Sequence, residues 1–490
     1  MWRIIHASKV HPGKDKMSTA QTEYDAVVIG GGPGGSCAAG FLARFGWKVV
    51  LFEKERFPRH RIGESLLPAT TMGILNKLGA MDLIEKHGFT KKYGGTFLWG
   101  KEDKPWTFNF YRTSEADATF GDHPTFLHSF QVERMIFDKL LLDHARALGA
   151  EVHEECAFEA VEDLDAEVKS VRVRLANGEK TTVRTRFVVD AGGRNSLLRT
   201  RFGERHYDPF FKNVALYNYF EGGKRMPGDR WGNILCVAFQ HGWFWYIPLT
   251  KELTSVGLVL GREKYNEMKG LGEREFFNRM VECAPMIKDF LSTATPCERA
   301  PYNQFRTDVD YSYIHSQFSH NGTFLVGDAA CFIDPVFSSG VHLATFSAYL
   351  AACAIDGVLK KTTTYEDSAA EYEARYRKEY MAFYRFLVSF YELHADHDSY
   401  FWQARKLLDR KGGTDTDAFI SLVSGQSTAG DLIFSPETFK DTLKWGVQSL
   451  TTLVSKASGG EVNPTELASA RKFILPTQEA RHHLLKKSPE

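Results

Sequence analysis

The sequence predicts an α/β fold: a Rossmann-like nucleotide-binding domain interleaved with a β-sheet layer on the substrate side, followed by a helical C-terminal region. Three observations predict it. Ala26-Val27-Val28-Ile29 runs into Gly30-Gly31-Gly32-Pro33-Gly34-Gly35, and Val49-Val50-Leu51-Phe52-Glu53 follows one helix length later. Aromatic and alternating strand patterns recur further along, notably Trp243-Phe244-Trp245-Tyr246-Ile247-Pro248. Past Val341 the pattern turns helical, first Ala-rich and then aromatic.

The first segment, Tyr24 to Glu53, reads as a strand–turn–helix–strand unit that grips a nucleotide. Gly30 permits the tight turn, Gly32 lets a pyrophosphate approach bare backbone, and Gly35 brings the helix against the sheet. Pro33 and Gly34 stand in the first helical turn, where amide groups meet phosphate. Glu53 closes the second strand and can accept hydrogen bonds from ribose hydroxyls, with Lys54 beside it.

Beyond it, Phe57 to Pro68 is bracketed by prolines and reads as a loop. A helical stretch runs to about His87, and Phe97–Gly100 and Trp106–Phe110 read as strands around a charged turn at 101–104. Gln131 to Ala147 reads as a helix with Phe137, Leu140, Leu141 and Ala145 on one face. Strands are expected across 152–190 and 213–259, and again at Phe324–Asp328. Helices are expected at Val341–Leu359 and Tyr372–Leu393, the latter with Phe383, Phe386, Leu387 and Phe390 as a core stripe, and a small helical tail past about 405.

Composition narrows the function. The 490 residues exceed one ordinary core, and 43% hydrophobic content supports a large interior. Basic and acidic residues balance at 61 each, so nothing in the charge points to nucleic acid or anionic lipid. Seven scattered cysteines without CxxC or metal-ligand spacing indicate a reduced, cytoplasmic protein with no metal site. The sequence has no run of eighteen apolar residues, so no membrane span is expected. Residues 1–16 are basic, lack a secretory apolar core, and read as a disordered extension or upstream start ahead of Met17.

Two further nucleotide signals lie far from the first. Asp190-Ala191-Gly192-Gly193 follows one strand, and Gly327-Asp328-Ala329-Ala330 follows another about a dozen residues before a helix. A carboxylate at such a strand end binds ribityl or ribose hydroxyls, and a helix N-terminus suits a flavin's electron-rich edge. In this order and spacing the three resemble the fingerprints of the FAD-dependent aromatic hydroxylase superfamily. The nucleotide-binding domain becomes a Rossmann-like FAD-binding domain, built from about 22–60, 125–200 and 318–360. The substrate-side sheet is expected from about 90–120 and 205–315, within one module over 17–375, with the helical region at 376–490.

Three more stretches sharpen the resemblance over about 22–405: Gly63-Glu64-Ser65-Leu66-Leu67-Pro68, the WxWxIP pattern of Trp243 to Pro248, and Asp334-Pro335-Val336-Phe337-Ser338-Ser339-Gly340-Val341-His342. They look like the flavin-dependent halogenases, and within them the branch acting on phenolic or pyrrolic rings, often tethered to a carrier protein. The resemblance implies a chlorinase of secondary metabolism and antibiotic biosynthesis that uses FADH2, O2 and chloride. A flavin C4a-hydroperoxide would oxidise chloride, and hypochlorous acid would be relayed by Lys92, whose pKa desolvation can lower.

The resemblance also assigns the backbone of Ser339 and Gly340 to chloride, and Trp243, Trp245 and Phe337 to the space between flavin and substrate. Arg61, Gly63, Glu64, Ser65, Gln131, Arg134, Asp190, Gly192, Asp328 and Pro335 join Gly30, Gly32, Pro33, Gly34, Gly35, Glu53 and Lys54 as expected flavin contacts, Gln131 and Arg134 opening a helix along the cofactor. Members that chlorinate free tryptophan carry a glutamate where Phe337 stands, so free tryptophan is not the expected substrate and no general base is assigned. A single GxGxxG implies that a partner flavin reductase supplies FADH2. The competing readings are an aromatic monooxygenase or isoprenoid reductase of the same superfamily, which would use nicotinamide directly, and a non-catalytic FAD-binding or carrier-docking protein.

Overall fold

The structure is a computed structural model and describes residues 23–99, 104–110, 128–208, 210–309 and 311–393. The N-terminal extension, part of the charged turn and the tail past 393 lie outside these residues.

The strand β1 (Glu23–Ile29), apolar from Ala26 onward, lies at the centre of a mostly parallel sheet, followed by helix α1 (Pro33–Arg44) and strand β2 (Val49–Phe52). On one side β1 pairs with β2, Ile29 opposite Phe52. On the other it pairs with Lys180–Asp190, Ile29 opposite Asp190, and that strand pairs in turn with Thr323–Leu325, Asp190 opposite Leu325. One neighbour of β1 follows it directly and the other arrives some 150 residues later, so its C-terminal end is a topological switch point, where open α/β sheets bind ligands. The shared register also ends these strands together. Gly30, Glu53, Asp190-Ala191-Gly192 and Gly327-Asp328, distant in sequence, therefore rim one crevice.

The second sheet runs in the order Thr295–Pro296, Asn213–Glu221, Leu253–Gly261, Gly242–Pro248, Ile234–Phe239, Gly94–Leu98, Trp106–Asn109. Its central strands are buried almost end to end because both faces are covered. On one face Leu235, Phe244, Tyr246, Val256 and Leu258 pack with Phe276, Phe277 and Met280 of the helix Glu273–Glu282. The other face joins the main core and carries a cross-strand row of Phe97, Cys236, Trp245, Gly257 and Tyr217. A Cβ on Gly257 would stand 2.1 Å from the Trp245 ring, so only glycine lets that indole lie across the sheet.

A small ribbon bridges the two sheets: Thr90–Lys92 pairs with Ser129–Gln131, and Ser65 bridges Gln131 from the loop. The expected helix at Gln131 therefore starts later, at Arg134, because Gln131 is held in strand geometry on both sides. The helix Ser339–Leu359 is long and apolar enough to cross a membrane, with mean hydropathy 1.4, but 61% of that window is buried inside the protein, where it packs on α1 and on Tyr365–Leu393. That last helix is continuous through 375–376, so the expected boundary there is no break in the chain's structure.

Candidate active site

Gly30 and Gly35 of the first turn have a steric reason. Gly30 takes φ +92°, and a Cβ there would come 2.5 Å from the Ala191 carbonyl oxygen; one on Gly35 would meet the Gly30 carbonyl oxygen at 1.8 Å. At Gly32 the nearest atom to a Cβ is Arg59 Nη2 at 3.5 Å, which leaves the backbone approachable. Gly34 packs against Val326 and Ala344, and Pro33 occupies the first helical turn. Buried Glu53 accepts from Gly31 N at 2.6 Å and from Glu55 N at 2.8 Å, which fixes its carboxylate at the strand end. Lys54 is exposed.

Asp190 is buried and accepts from Gly192 N at 2.9 Å and from the Ser196 hydroxyl; desolvation pushes its pKa up to about 6 against those hydrogen bonds. Asp328 is raised to about 6 by burial as well, countered by Arg134, Arg194 and Arg205.

A buried ion cluster supports the crevice. Arg134 Nε and Nη2 donate to Asp138 at 2.7 and 3.0 Å, Arg59 Nη1 donates to the same carboxylate at 2.7 Å, and Arg134 Nη1 also holds the Ile62 and Gly63 carbonyls. Two guanidiniums on one carboxylate leave a net positive charge, and Arg59 Nε is buried without a partner. Such a site suits an anionic phosphate. Arg61 is exposed and pairs with Glu55. Gln131 is buried with its amide donating to the Gly232 carbonyl at 3.0 Å, which makes it a tie between ribbon and sheet.

Lys92 is 3% exposed. Its Nζ donates to Ser65 Oγ at 2.8 Å and to the Leu66 carbonyl at 3.1 Å, and lies over the Phe110 ring at 5.5 Å. Desolvation lowers its pKa from the ordinary 10.5 to about 7, with a small opposing effect from Cys236. Cys236 belongs to the same sheet row as Trp245, so the amine faces that row.

The aromatic side chains Trp243, Trp245 and Phe337 are packed tightly against their own neighbours. Trp243 is fully buried and donates to Tyr391 Oη at 2.6 Å; Trp245 donates to Ser255 Oγ at 3.2 Å. Phe337 meets Phe386 and Phe390 at 4.8 and 4.7 Å between centroids, and Phe97 at 6.3 Å. Its backbone belongs to the 3-10 turn Pro335–Phe337, whose N-cap Asp334 accepts from Val336 N. Ser338 then takes φ +60° and the helix starts at Ser339, with no side chain capping it. The first amides of that helix, at Ser339 and Gly340, thus remain available to an anion. Gly340 is glycine because a Cβ would lie 2.8 Å from the Phe332 ring.

Glu64 is buried on the same face of the second sheet. Tyr219 Oη donates to its Oε1 at 2.7 Å and His60 Nε2 meets Tyr219 Oη at 2.7 Å, while Oε2 is buried with no partner. Burial raises Glu64 to about 7, offset by the neighbouring hydroxyls of Ser255 and Tyr219.

Comparison with known proteins settles the family. The tryptophan halogenase family model matches residues 25–123 and 113–442. The chain belongs to the flavin-dependent halogenases. It is 34% identical over 415 residues to a tryptophan 2-halogenase of Chondromyces crocatus, covering 83% of this chain and 76% of that protein. It is also 34% identical over 413 residues to a 1H-pyrrole-2-carbonyl-[peptidyl-carrier protein] chlorinase of Pseudomonas fluorescens, covering 79% and 88%. Among solved structures, the myxobacterial chondrochloren halogenase superposes with a TM-score of 0.75 at 44% identity, over 88% of this chain and 97% of that one.

The halogenase's cofactor is FAD, and its crevice fits that group: an approachable turn at Gly32, a carboxylate at Glu53, an orphaned Arg59 N–H and acids at Asp190 and Asp328. Sequence reading missed Arg59, Asp138, His60, Tyr219 and Ser255. The i, i+4 spacing of Arg134 and Asp138 was a signal for one pair; nothing local marks the others, because their partners come from separate elements.

Proposed function

We propose that this halogenase chlorinates an electron-rich phenolic or pyrrolic ring, with Lys92 carrying the oxidised halogen to the substrate and a separate reductase supplying FADH2. The observation that carries this reading is the buried Lys92 amine, desolvated to about 7 and set on the sheet face of Trp245.

Reduced FAD, when bound, supplies with O2 the two-electron oxidation of chloride to hypochlorous acid. The chain does the rest. Ser339 and Gly340 offer uncapped helix amides to the chloride. Near neutral pH, Lys92 exists in both protonation states. As an ammonium it hydrogen-bonds hypochlorous acid, and as a free amine it accepts the chlorine. Ser65 Oγ and the Leu66 carbonyl fix its direction. Trp243 and Trp245 keep the aromatic substrate apart from the cofactor and exclude water.

A pyrrolyl-carrier-protein chlorinase among the relatives supports a ring that can be carrier-bound, and Phe337 in place of a carboxylate supports a ring whose own heteroatom supplies electron density. The test is Lys92→Ala with a flavin reductase, chloride and a panel of phenols, pyrroles and carrier-bound rings, read by mass spectrometry. Chlorinated product should disappear while flavin reoxidation continues. Undiminished chlorination by Lys92→Ala overturns the assignment.

A further inference from the structure

Converting a halide anion to hypohalous acid at the expense of reduced flavin and O2 consumes one proton. The two flavin hydrogens and that proton end in one water and the O–H of the acid. Substituting an aromatic C–H with hypohalous acid then releases the ring proton, which joins the departing hydroxide as water, so the first proton is a net demand on the buried site. Lys92 and Ser339 are themselves buried.

We propose that His60, Tyr219 and Glu64 form a relay that delivers this proton, an inference that rests on the halogenase reading. The three groups are in line: His60 Nε2 to Tyr219 Oη at 2.7 Å, then Tyr219 Oη to Glu64 Oε1 at 2.7 Å. The outer member, His60, is partly exposed. The inner member ends in Oε2, buried with no protein partner, on the sheet face that also carries Ser255 and Trp245. A buried carboxyl oxygen left open costs free energy unless something uses it.

The transfer balances. The Oε2–H bond of protonated Glu64 would break as its proton passes to the O2-derived oxygen that leaves as water. Tyr219 passes its phenolic proton to Oε1 and takes one from His60 Nε2, while His60 Nδ1 takes one from water; rotation of the carboxyl and of the imidazole tautomer resets the chain. Tyr219 never ionises, because burial and then Glu64 hold its pKa well above 10. His60, lowered to about 4 chiefly by burial and then by Arg306 and Arg61, works as a neutral tautomer. Facing Glu64 are Tyr219 and Ser255 from the sheet and Glu133 and Arg134 from the start of the Arg134 helix. Facing His60 are Arg59, Arg61, Arg134 and Arg306, with the rings of Tyr217, Tyr219 and Tyr302. Glu64 titrates at about 7 in that setting, so its acid form is present at neutral pH and is lost as pH rises.

The experiment uses the FAD-loaded enzyme with Glu64→Gln and Tyr219→Phe, both close in shape to the native residues. Hypohalous acid is trapped by a soluble diketone, so no natural substrate is needed. Each variant should lose about 100-fold in trapped acid, the usual order for a lost proton-transfer group. Wild-type rate should fall as pH rises through about 7, and that dependence should vanish in Glu64→Gln. Independently of turnover, infrared difference spectra of the resting enzyme between about pH 5.5 and about pH 8.5 should show a protonated buried carboxyl that disappears in Glu64→Gln. Absence of that band overturns the relay even where Glu64→Gln fails to fold. Unchanged rate and pH profile in both variants, with wild type active, also overturns it while leaving the halogenase reading intact. A wild type that traps no halogen under any condition refutes the halogenase reading instead.

Discussion

Replacing Lys92 by methionine isolates the free energy stored in its burial. In the folded chain desolvation sets the amine at about 7, against 10.5 for a lysine in water. Because the folded value is the lower one, the unfolded chain binds more protons between these limits, and stability rises with pH across that window. One group changing by one proton contributes about 1.4 kcal/mol per pH unit at most. Integrating from pH 7, where the folded amine is half protonated, to pH 9 gives about 2 kcal/mol of added stability. Lys92→Met fills the same volume and cannot titrate. Urea unfolding of both proteins at the two pH values cancels every other titrating group. The wild type should gain about 2 kcal/mol more than Lys92→Met between them. Equal gains would mean that the ammonium keeps an ordinary affinity for its proton in the fold, and the argument for a desolvated amine would collapse.

Two further outcomes follow from contacts already described. Gly257→Ala places a Cβ 2.1 Å from the Trp245 ring, and displacing that indole should cost about 1–3 kcal/mol with a change in tryptophan fluorescence; Gly73→Ala, where a Cβ meets nothing within 4 Å, serves as the neutral control. Arg59→Gln removes one of the two guanidiniums on Asp138 and should weaken FAD binding by about tenfold in a fluorescence titration, with Arg134 still neutralising the carboxylate.

The legible part of this protein was local. Gly30, Gly32 and Gly35 could be read because a turn that meets phosphate tolerates few other residues, whereas Asp190 and Asp328 joined them only through the resemblance of the three signals to known fingerprints, and the structure ends their parallel strands in one crevice. Gln131 was misplaced on a helix because its extended geometry comes from Thr90 and Ser65 on either side, neither of which is near it in sequence. The helix Tyr365–Leu393 runs unbroken through 375–376 and packs on Ser339–Leu359.

The sequence by itself determined the nucleotide-binding unit and the aromatic strands of the second sheet, since turn sterics and hydrophobic periodicity act within a few residues, while Lys92 was singled out only through the resemblance of the surrounding motifs to a known family. Only the tertiary structure decided what surrounds that amine. Lys92 is an ordinary lysine in the chain and becomes a desolvated one because Ser65 and Leu66, Phe110, and Cys236 arrive from three separate segments to close over it. The same holds for Arg59 with Asp138 and for Glu64 with Tyr219: burial is a property of the assembled interior, and no short stretch of sequence contains the groups that create it.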